Sequence, residues 1–497
     1  MGLDRRAFLT GAAAAAAMTA PPAAAVPPAA SLRPLARSGN VVERALPTPE
    51  DLVARAGLPG RVGIALTDLQ TGTLLETHAP DEALPPASTA KAISALYALE
   101  ALGADHRFET RVLAAGEIRE GVLKGDLILA GGGDPTLDTD ALADLAAAVR
   151  EAGLREVLGA FRVWGGALPN ERTIDDGQPA YVGYNPAISG LNLNFNRVHF
   201  GWKRAGSDYD VTMDARSVRH RPEVRIARMQ VEDRAGPVYT YRDEDGRDHW
   251  SVARGALGDG GARWLPVRRP ALYAGEVFQT LAGSNGLRLP APVEAVALPD
   301  GAQVVARHES ASLDDILRDM LDYSTNLTAE AVGLSATLAH GAPASSLAAS
   351  AGAMSRWAAE ELGMRSCSFV DHSGLGDASR VTAAELAGAM VAAGRARGFQ
   401  PLLERYDVRD ERGAPMRNTP FEVHAKTGTL HFVSTLTGYL ASPGGRMLSF
   451  AILTGDLGHR ATLTPAQLDR PAGSRAWAGR SRRMQSEFLR RWAALYA

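Results

Sequence analysis

Ser88-Thr89-Ala90-Lys91-Ala92-Ile93-Ser94-Ala95-Leu96-Tyr97-Ala98-Leu99-Glu100-Ala101-Leu102-Gly103 is the stretch on which the fold turns. Pro85-Pro86-Ala87 stops extended structure in front of it, and the run combines strong helix formers with apolar residues on one side. A buried helix is expected to begin at Ser88, with the serine at its N-terminus. At i and i+3, Ser88 and Lys91 share one helix face, so an amine can reach a hydroxyl. Lysine is scarce here: four of the 53 basic side chains are Lys, at 91, 124, 203 and 426, leaving 49 Arg (53 − 4). Arg serves wherever a permanent charge is enough, but it cannot give up its proton to become a base. Lys91 and Lys426 therefore stand out, whereas Lys124 and Lys203 lie in polar, turn-like surroundings.

Upstream, Asp4-Arg5-Arg6-Ala7-Phe8-Leu9, an Ala-rich stretch and Pro21-Pro22-Ala23-Ala24-Ala25 resemble a twin-arginine export signal over 1–25. Residues 26–47 read as a Pro/Ala-rich linker. Folding is expected from Thr48-Pro49-Glu50-Asp51, an N-cap and first helical turn, with a hairpin from Arg61 to Thr77 through Gln70-Thr71-Gly72. From 104 to 302 short β-like runs (Gly125 to Ala130, Val224 to Val231, Val293 to Val305) alternate with Gly, Asp and Pro turns, so this is expected to be an inserted β-rich region of one or two domains. Helical periodicity returns from Leu313 to Leu338 and from Leu347 to Leu362. Strands are expected at His424 to Thr429, Val433 to Ala441 and Met447 to Thr454, then a helix over Arg475 to Ala497. That helix carries Trp477, Met484, Phe488, Trp492 and Leu495 near one face, with Arg482, Arg483, Arg490 and Arg491 elsewhere. Packing against a sheet suits this face best, and peripheral membrane contact is the other reading.

Composition narrows the function. A net charge of −3 and the lack of a long basic stripe argue against nucleic-acid binding. No run of about 18 apolar residues follows the N-terminal segment, so the mature chain is expected to be soluble beyond the cytoplasmic membrane, in the periplasm. The single cysteine, Cys367, rules out an intramolecular disulfide and Cys-based zinc or redox motifs, and the 11 histidines form no His-Glu-x-x-His. No metal and no cofactor are expected.

Two further clusters join the opening motif. Ser324-Thr325-Asn326 falls at a break between helical stretches and offers a hydroxyl and an amide. Lys426-Thr427-Gly428-Thr429 lies on an expected strand, where Gly428 lets a ligand approach the edge and the next residue can offer a backbone N–H to an oxyanion. Singly, the first two also read as a helix cap and a turn. Together, Ser-x-x-Lys, Ser-x-Asn and Lys-Thr-Gly in this order resemble the signature of penicillin-binding proteins and serine β-lactamases.

Spacing selects among those relatives. Ser88 to Ser324 is 236 residues (324 − 88), too long for a compact β-lactamase, while Ser324 to Lys426 is 102 (426 − 324). The chain resembles the class C low-molecular-mass penicillin-binding proteins, D-alanyl-D-alanine carboxypeptidases and endopeptidases with domains inserted after the nucleophile helix. Gly131-Gly132-Gly133-Asp134-Pro135-Thr136-Leu137, Ser189-Gly190-Leu191-Asn192-Leu193-Asn194-Phe195-Asn196 and Asp371-His372-Ser373-Gly374-Leu375-Gly376 agree with it. Thr325, His372 and Gly376 depart from it, standing where Asp or Asn, Gly and Ser are expected.

The resemblance implies an α+β fold: a β-lactamase/transpeptidase-like domain, an antiparallel sheet flanked by helices, over 48–103 and 303–497, with the insertion at 104–302. It implies Ser88 as nucleophile, Lys91 as its base and Ser324 as the relay of the proton to the leaving amine. Asn326 would hold the acyl-side amide, while Lys426, Thr427 and Thr429 would bind the substrate carboxylate beside Gly428. The backbone N–H groups of Ser88 and Thr429 would form the oxyanion hole. The implied partners are peptidoglycan stem peptides ending in D-Ala-D-Ala, with β-lactam antibiotics as covalent inhibitors. A serine β-lactamase or esterase on the same fold is the enzymatic alternative, and a non-catalytic cell-wall-binding protein is the alternative of another class.

Overall fold

Thr48 caps the first helix reciprocally: its hydroxyl accepts from Asp51 N at 3.2 Å while the Asp51 carboxylate accepts from Thr48 N at 3.1 Å. The computed structural model describes residues 46–464, 467–468 and 471–497. The export signal expected over 1–25 and all but the end of the 26–47 linker lie outside the described residues. Helix α1 (Pro49–Ala56) leads to β1 (Arg61–Asp68) and β2 (Leu74–His78), the expected hairpin, whose turn is tied by Thr71 N donating to Asp68 Oδ1 at 2.7 Å. Ser88 lies in a 3-10 turn (Ala87–Thr89), and α2 proper runs Ala90–Leu102. The tighter turn has three residues per turn, which eclipses side chains at i and i+3.

The inserted region begins with β3 (Glu109–Arg119) and β4 (Val122–Gly131). Then come α3 (Thr139–Glu151), β5 (Glu156–Val157), β6 (Phe161–Trp164), β7 (Arg197–Ala205), β8 (Asp208–Asp214), β9 (Ala227–Glu232), β10 (Tyr239–Glu244), β11 (Arg247–Ala253), β12 (Gly260–Pro266), α4 (Pro270–Ser284), β13 (Val293–Glu294) and β14 (Gln303–Glu309). They form a larger sheet ordered β13-β6-β4-β3-β14, with β5 against β4, and two three-stranded sheets, β12-β7-β8 and β10-β11-β9. Helices α3 and α4 close its core through Leu142, Leu145, Val149, Tyr273, Val277 and Phe278, all buried. The region is β-rich as expected, but these two helices went unassigned. Lys124 and Lys203 sit on β4 and β7, exposed on strands rather than in turns.

Helices resume with α5 (Leu313–Tyr323), α6 (Asn326–Ala339), α7 (Leu347–Glu361) and α8 (Ala383–Arg397). The chain then forms β15 (Glu422–Leu430), β16 (Val433–Ala441), β17 (Met447–Gly455), the short α9 (Leu457–Ala461) and α10 (Ser474–Leu495). The sheet β15-β16-β17-β1-β2 is antiparallel throughout, with Lys426 opposite Thr437 and Thr429 opposite Ser434. One face packs on α2 and α5 to α8 through Leu96, Met320, Val332 and Met390. The other packs on α1 and α10 through Leu52, Phe450, Phe488 and Trp492. Burying these large apolar side chains stabilises by about 1.5–3 kcal/mol each. The apolar face of α10 is thus spent in the core. Arg491, expected on its polar side, is buried instead: Nη2 donates to Glu76 Oε1 at 2.6 Å and Nη1 to Pro47 O at 2.6 Å. Among the described residues no helix is long and apolar enough to cross a membrane.

Candidate active site

The site forms where the start of α2, the α5–α6 junction and the outer strand β15 meet. Ala87, just before Ser88, takes a left-handed φ of 47°, and Ser324 does so at φ 56°. Such backbone costs energy for a residue with a Cβ and persists where surrounding structure imposes it. Around Ser88 two bonds do so: the Thr89 hydroxyl donates to Pro86 O at 2.6 Å, and the Thr435 hydroxyl of β16 donates to the same oxygen at 2.7 Å. Gly428 has no room for a side chain. A Cβ there would overlap the Thr435 hydroxyl and stand 2.9 Å from Ser88 N, so the glycine lets β15 close on the serine turn.

Lys91 is completely buried. Its Nζ lies 2.9 Å from Ser88 Oγ and donates to Asn326 Oδ1 at 2.7 Å and to Ser373 O at 2.8 Å. Burial lowers the amine to about 7, helped by the charge of Lys426 and opposed by Asp371 and Glu330. Lys426 is also buried and is lowered to about 8, again chiefly by burial, with Glu404 and Asp322 opposing. Neither lysine has its ordinary solution character.

Sequence reasoning missed the groups that hold Lys91 from behind. Glu330, fully buried on α6, accepts from His372 N at 3.0 Å and Ser373 N at 2.9 Å. Asp371 accepts from Gly374 N and Gly376 N, both at 2.6 Å. Burial raises both carboxyls above their ordinary range, and the Asp371 charge adds to the rise at Glu330. Gly374 (φ 74°) lies so close to Ala87 O that a Cβ would overlap it, which presses the 371–376 loop against the serine turn. The His372 ring is buried, with Nε2 2.8 Å from Ser350 Oγ, and burial lowers it to about 3, so it is neutral.

In front of the serine is a cavity of about 410 Å³ lined by Ser88, Ser324, Asn326 and Thr429. Gln178 and Tyr184 close it from the inserted region, and Tyr184 O accepts from Asn326 Nδ2 at 2.8 Å. Arg475 and Arg482 of α10 line its far end with Arg460, which donates to Asp377 Oδ2 at 2.7 Å. Lys426 and Thr427 are not part of the wall: Lys426 lies beneath the surface, and Thr427 is exposed outside the cavity. His431 lines the cavity, and His424 Nδ1 lies 3.0 Å from Leu403 O. Among the described residues no group of His, Cys, Asp and Glu is placed to hold a metal ion.

This arrangement can activate a hydroxyl toward a carbonyl. Comparison with known proteins points the same way. Residues 50–469 match the model of the D-Ala-D-Ala carboxypeptidase 3 (S13) family. The chain is 31% identical over 422 residues to the D-alanyl-D-alanine carboxypeptidase of Actinomadura sp. (strain R39), covering 79% of this chain and 77% of that one. It is 26% identical over 422 residues to a carboxypeptidase of Mycobacterium tuberculosis, covering 80% and 77%. In fold it is similar to penicillin binding protein 4 of Haemophilus influenzae, with a TM-score of 0.72 and 19% identity over 88% of this chain and 98% of that one.

Proposed function

The chain belongs to the D-Ala-D-Ala carboxypeptidase 3 (S13) family, and from that premise we propose how its D-alanyl-D-alanine carboxypeptidase activity is carried out by the residues of this cleft. Ser88 Oγ attacks the carbonyl carbon between the two terminal D-alanines of a peptidoglycan stem peptide as Lys91 Nζ takes the hydroxyl proton. The tetrahedral oxyanion is met by the backbone N–H groups of Ser88 and Thr429. Collapse breaks the C–N bond, Ser324 passes the proton from Lys91 to the leaving amine, and D-alanine departs. Water then hydrolyses the Ser88 ester, releasing the shortened peptide. Asn326 holds the acyl-side amide once Tyr184 O yields its place, and Thr429 on the cavity wall, backed by the buried charge of Lys426, receives the terminal carboxylate.

One observation carries this reading: the three neighbours of Lys91 Nζ are not equivalent. Asn326 Oδ1 and the Ser373 carbonyl can only accept. A neutral amine has two hydrogens and one lone pair, so the hydrogens go to those acceptors and the lone pair faces the Ser88 hydroxyl. Burial lowers the amine to about 7, so a large fraction of it is neutral near pH 7, the condition for a general base.

β-Lactams would acylate the same serine, and cleavage of cross-linked stem peptides would use the same acyl step. The domain reading that goes with this is a catalytic part over 48–103 and 303–497 and an insertion over 104–302 that walls the cleft through Gln178 and Tyr184. Export to the periplasm by a twin-arginine signal is supported by the Arg5-Arg6 segment, the Ala-rich stretch after it and the small residues at 21–25. Peripheral membrane contact has no support from α10, whose apolar face is buried in the core. The test is release of D-alanine from a D-Ala-D-Ala peptide by wild type and Ser88→Ala. Release by wild type alone supports the proposal, and equal release by both refutes it. Rapid turnover of penicillin without D-alanine release would favour the β-lactamase alternative.

A further inference from the structure

Buried carboxyl groups that no catalytic step uses call for a reason, because removing a polar group from water is costly unless it is bonded. Glu330 is one of these. It lies one helical turn after Asn326 on α6, so the two share a face. Asn326 Oδ1 takes one hydrogen of Lys91 directly. Glu330 reaches Lys91 through one intermediary: its two oxygens accept from the N–H groups of His372 and Ser373, and the Ser373 carbonyl takes the other Lys91 hydrogen.

We infer that Glu330 is a positioning residue for the Lys91 base: by clamping the His372–Ser373 backbone it aims the Ser373 carbonyl at Nζ, and α6 thereby fixes both hydrogens of the amine and the direction of its lone pair. If the Ser373 carbonyl turned away, a hydrogen of Nζ would be free to point at Ser88 Oγ, and the lone pair would be lost to the reaction. The charge of Glu330 also bears on the amine. The charged groups around Lys91 are Lys426 from β15, Asp371 from the loop after α7 and Glu330 from α6. The first favours the neutral amine and the other two the ammonium. Asp371 is in turn faced by Asp175 of the inserted region, and neutral His372 adds no charge.

The inference rests on the reading of Lys91 as base, which Lys91→Arg tests separately. The experiment is Glu330→Gln, with penicillin acylation followed against pH and Lys91 followed by NMR of protein carrying ¹³C at the lysine ε-carbon, where only four lysines contribute. Gln keeps the shape but turns an NH2 group toward one of the two backbone N–H donors. Acylation at pH 7 should fall about tenfold or more, with KM for peptide within about twofold. The loss should persist on the alkaline plateau, where the lysine signal shows the amine of Lys91 neutral in both proteins, because it comes from the direction of the lone pair and not from the amount of neutral amine. Unchanged acylation, or a loss that vanishes on that plateau, overturns the inference. If Lys91→Arg is inert while Glu330→Gln behaves as wild type, only the positioning role fails; if Lys91→Arg acylates normally, the base reading itself fails. Should Glu330→Gln not fold, Glu330→Asp takes its place: its shorter side chain cannot span both N–H groups, so acylation falls while the Lys91 titration stays near that of wild type, and wild-type acylation there overturns the role.

Discussion

Lys91 in the catalytic half and Arg268 in the inserted region meet similar physical conditions and use them differently. Both are buried basic side chains that donate to main-chain carbonyl oxygens, Lys91 to one and Arg268 to three. Arg268 donates from Nη1 to Arg172 O at 2.7 Å and Asn185 O at 2.8 Å, and from Nη2 to Ala180 O at 2.7 Å. Its own N–H donates to Asp248 Oδ2 at 2.9 Å. Burial lowers both side chains, but a guanidinium stays charged from so high a starting point, whereas the amine of Lys91 reaches about 7. Arg268 is a fixed peg that holds the 172–185 loop, and with it Gln178 and Tyr184, against the cleft. Lys91 is held as firmly, but its proton can leave. Among 53 basic positions the chain uses Arg at 49, and Lys91 is one of the four lysines, the one whose amine burial lowers to about 7.

The comparison can be broken most severely at Lys91. Lys91→Arg should keep the positive charge and lose acylation by a factor on the order of 1,000 or more, measured as the rate of the covalent penicillin adduct. Arg268→Ala leaves three carbonyls without their donor and should destabilise the protein by about 3 kcal/mol, read from denaturant unfolding. Protein that remains folded should still acylate. The acylation rate should rise about tenfold per pH unit until Lys91 loses its proton near 7, because only the neutral amine accepts from Ser88. Binding of the peptide carboxylate should weaken above about 8, where Lys426 loses its charge. Arg268→Lys, the smallest change, keeps the charge without the planar fork and should cost about 1 kcal/mol and raise KM more than it lowers kcat.

The sequence makes one half of this comparison legible and hides the other. Ser88, Lys91, Ser324, Asn326 and the Lys426–Thr429 run are visible because their chemistry and spacing are unusual together, and the strands and helices that carry them show clear periodicity. Arg268 resembles any other arginine in an Arg-rich chain, and its partners are carbonyl oxygens, which every residue has. Glu330 reads as an ordinary helical acid, and its clamp lies on backbone N–H groups distant in sequence. Helices α3 and α4 escaped because short amphipathic runs such as Leu142, Leu145 and Val149 sit among Gly, Asp and Pro turns. The N-cap that starts α3, Asp138 accepting from Ala141 N at 2.8 Å, was the available signal. Gly428 was legible as a special position, but the structure adds a different occupant for the space beside it: the Ser88 turn.

The most direct test of the central claim is the intact mass of purified protein incubated with benzylpenicillin over time, with Lys91→Arg and Ser88→Ala alongside. The account predicts a one-equivalent adduct on wild type and none on either variant. An adduct forming on Lys91→Arg at the wild-type rate, or on Ser88→Ala, would contradict it.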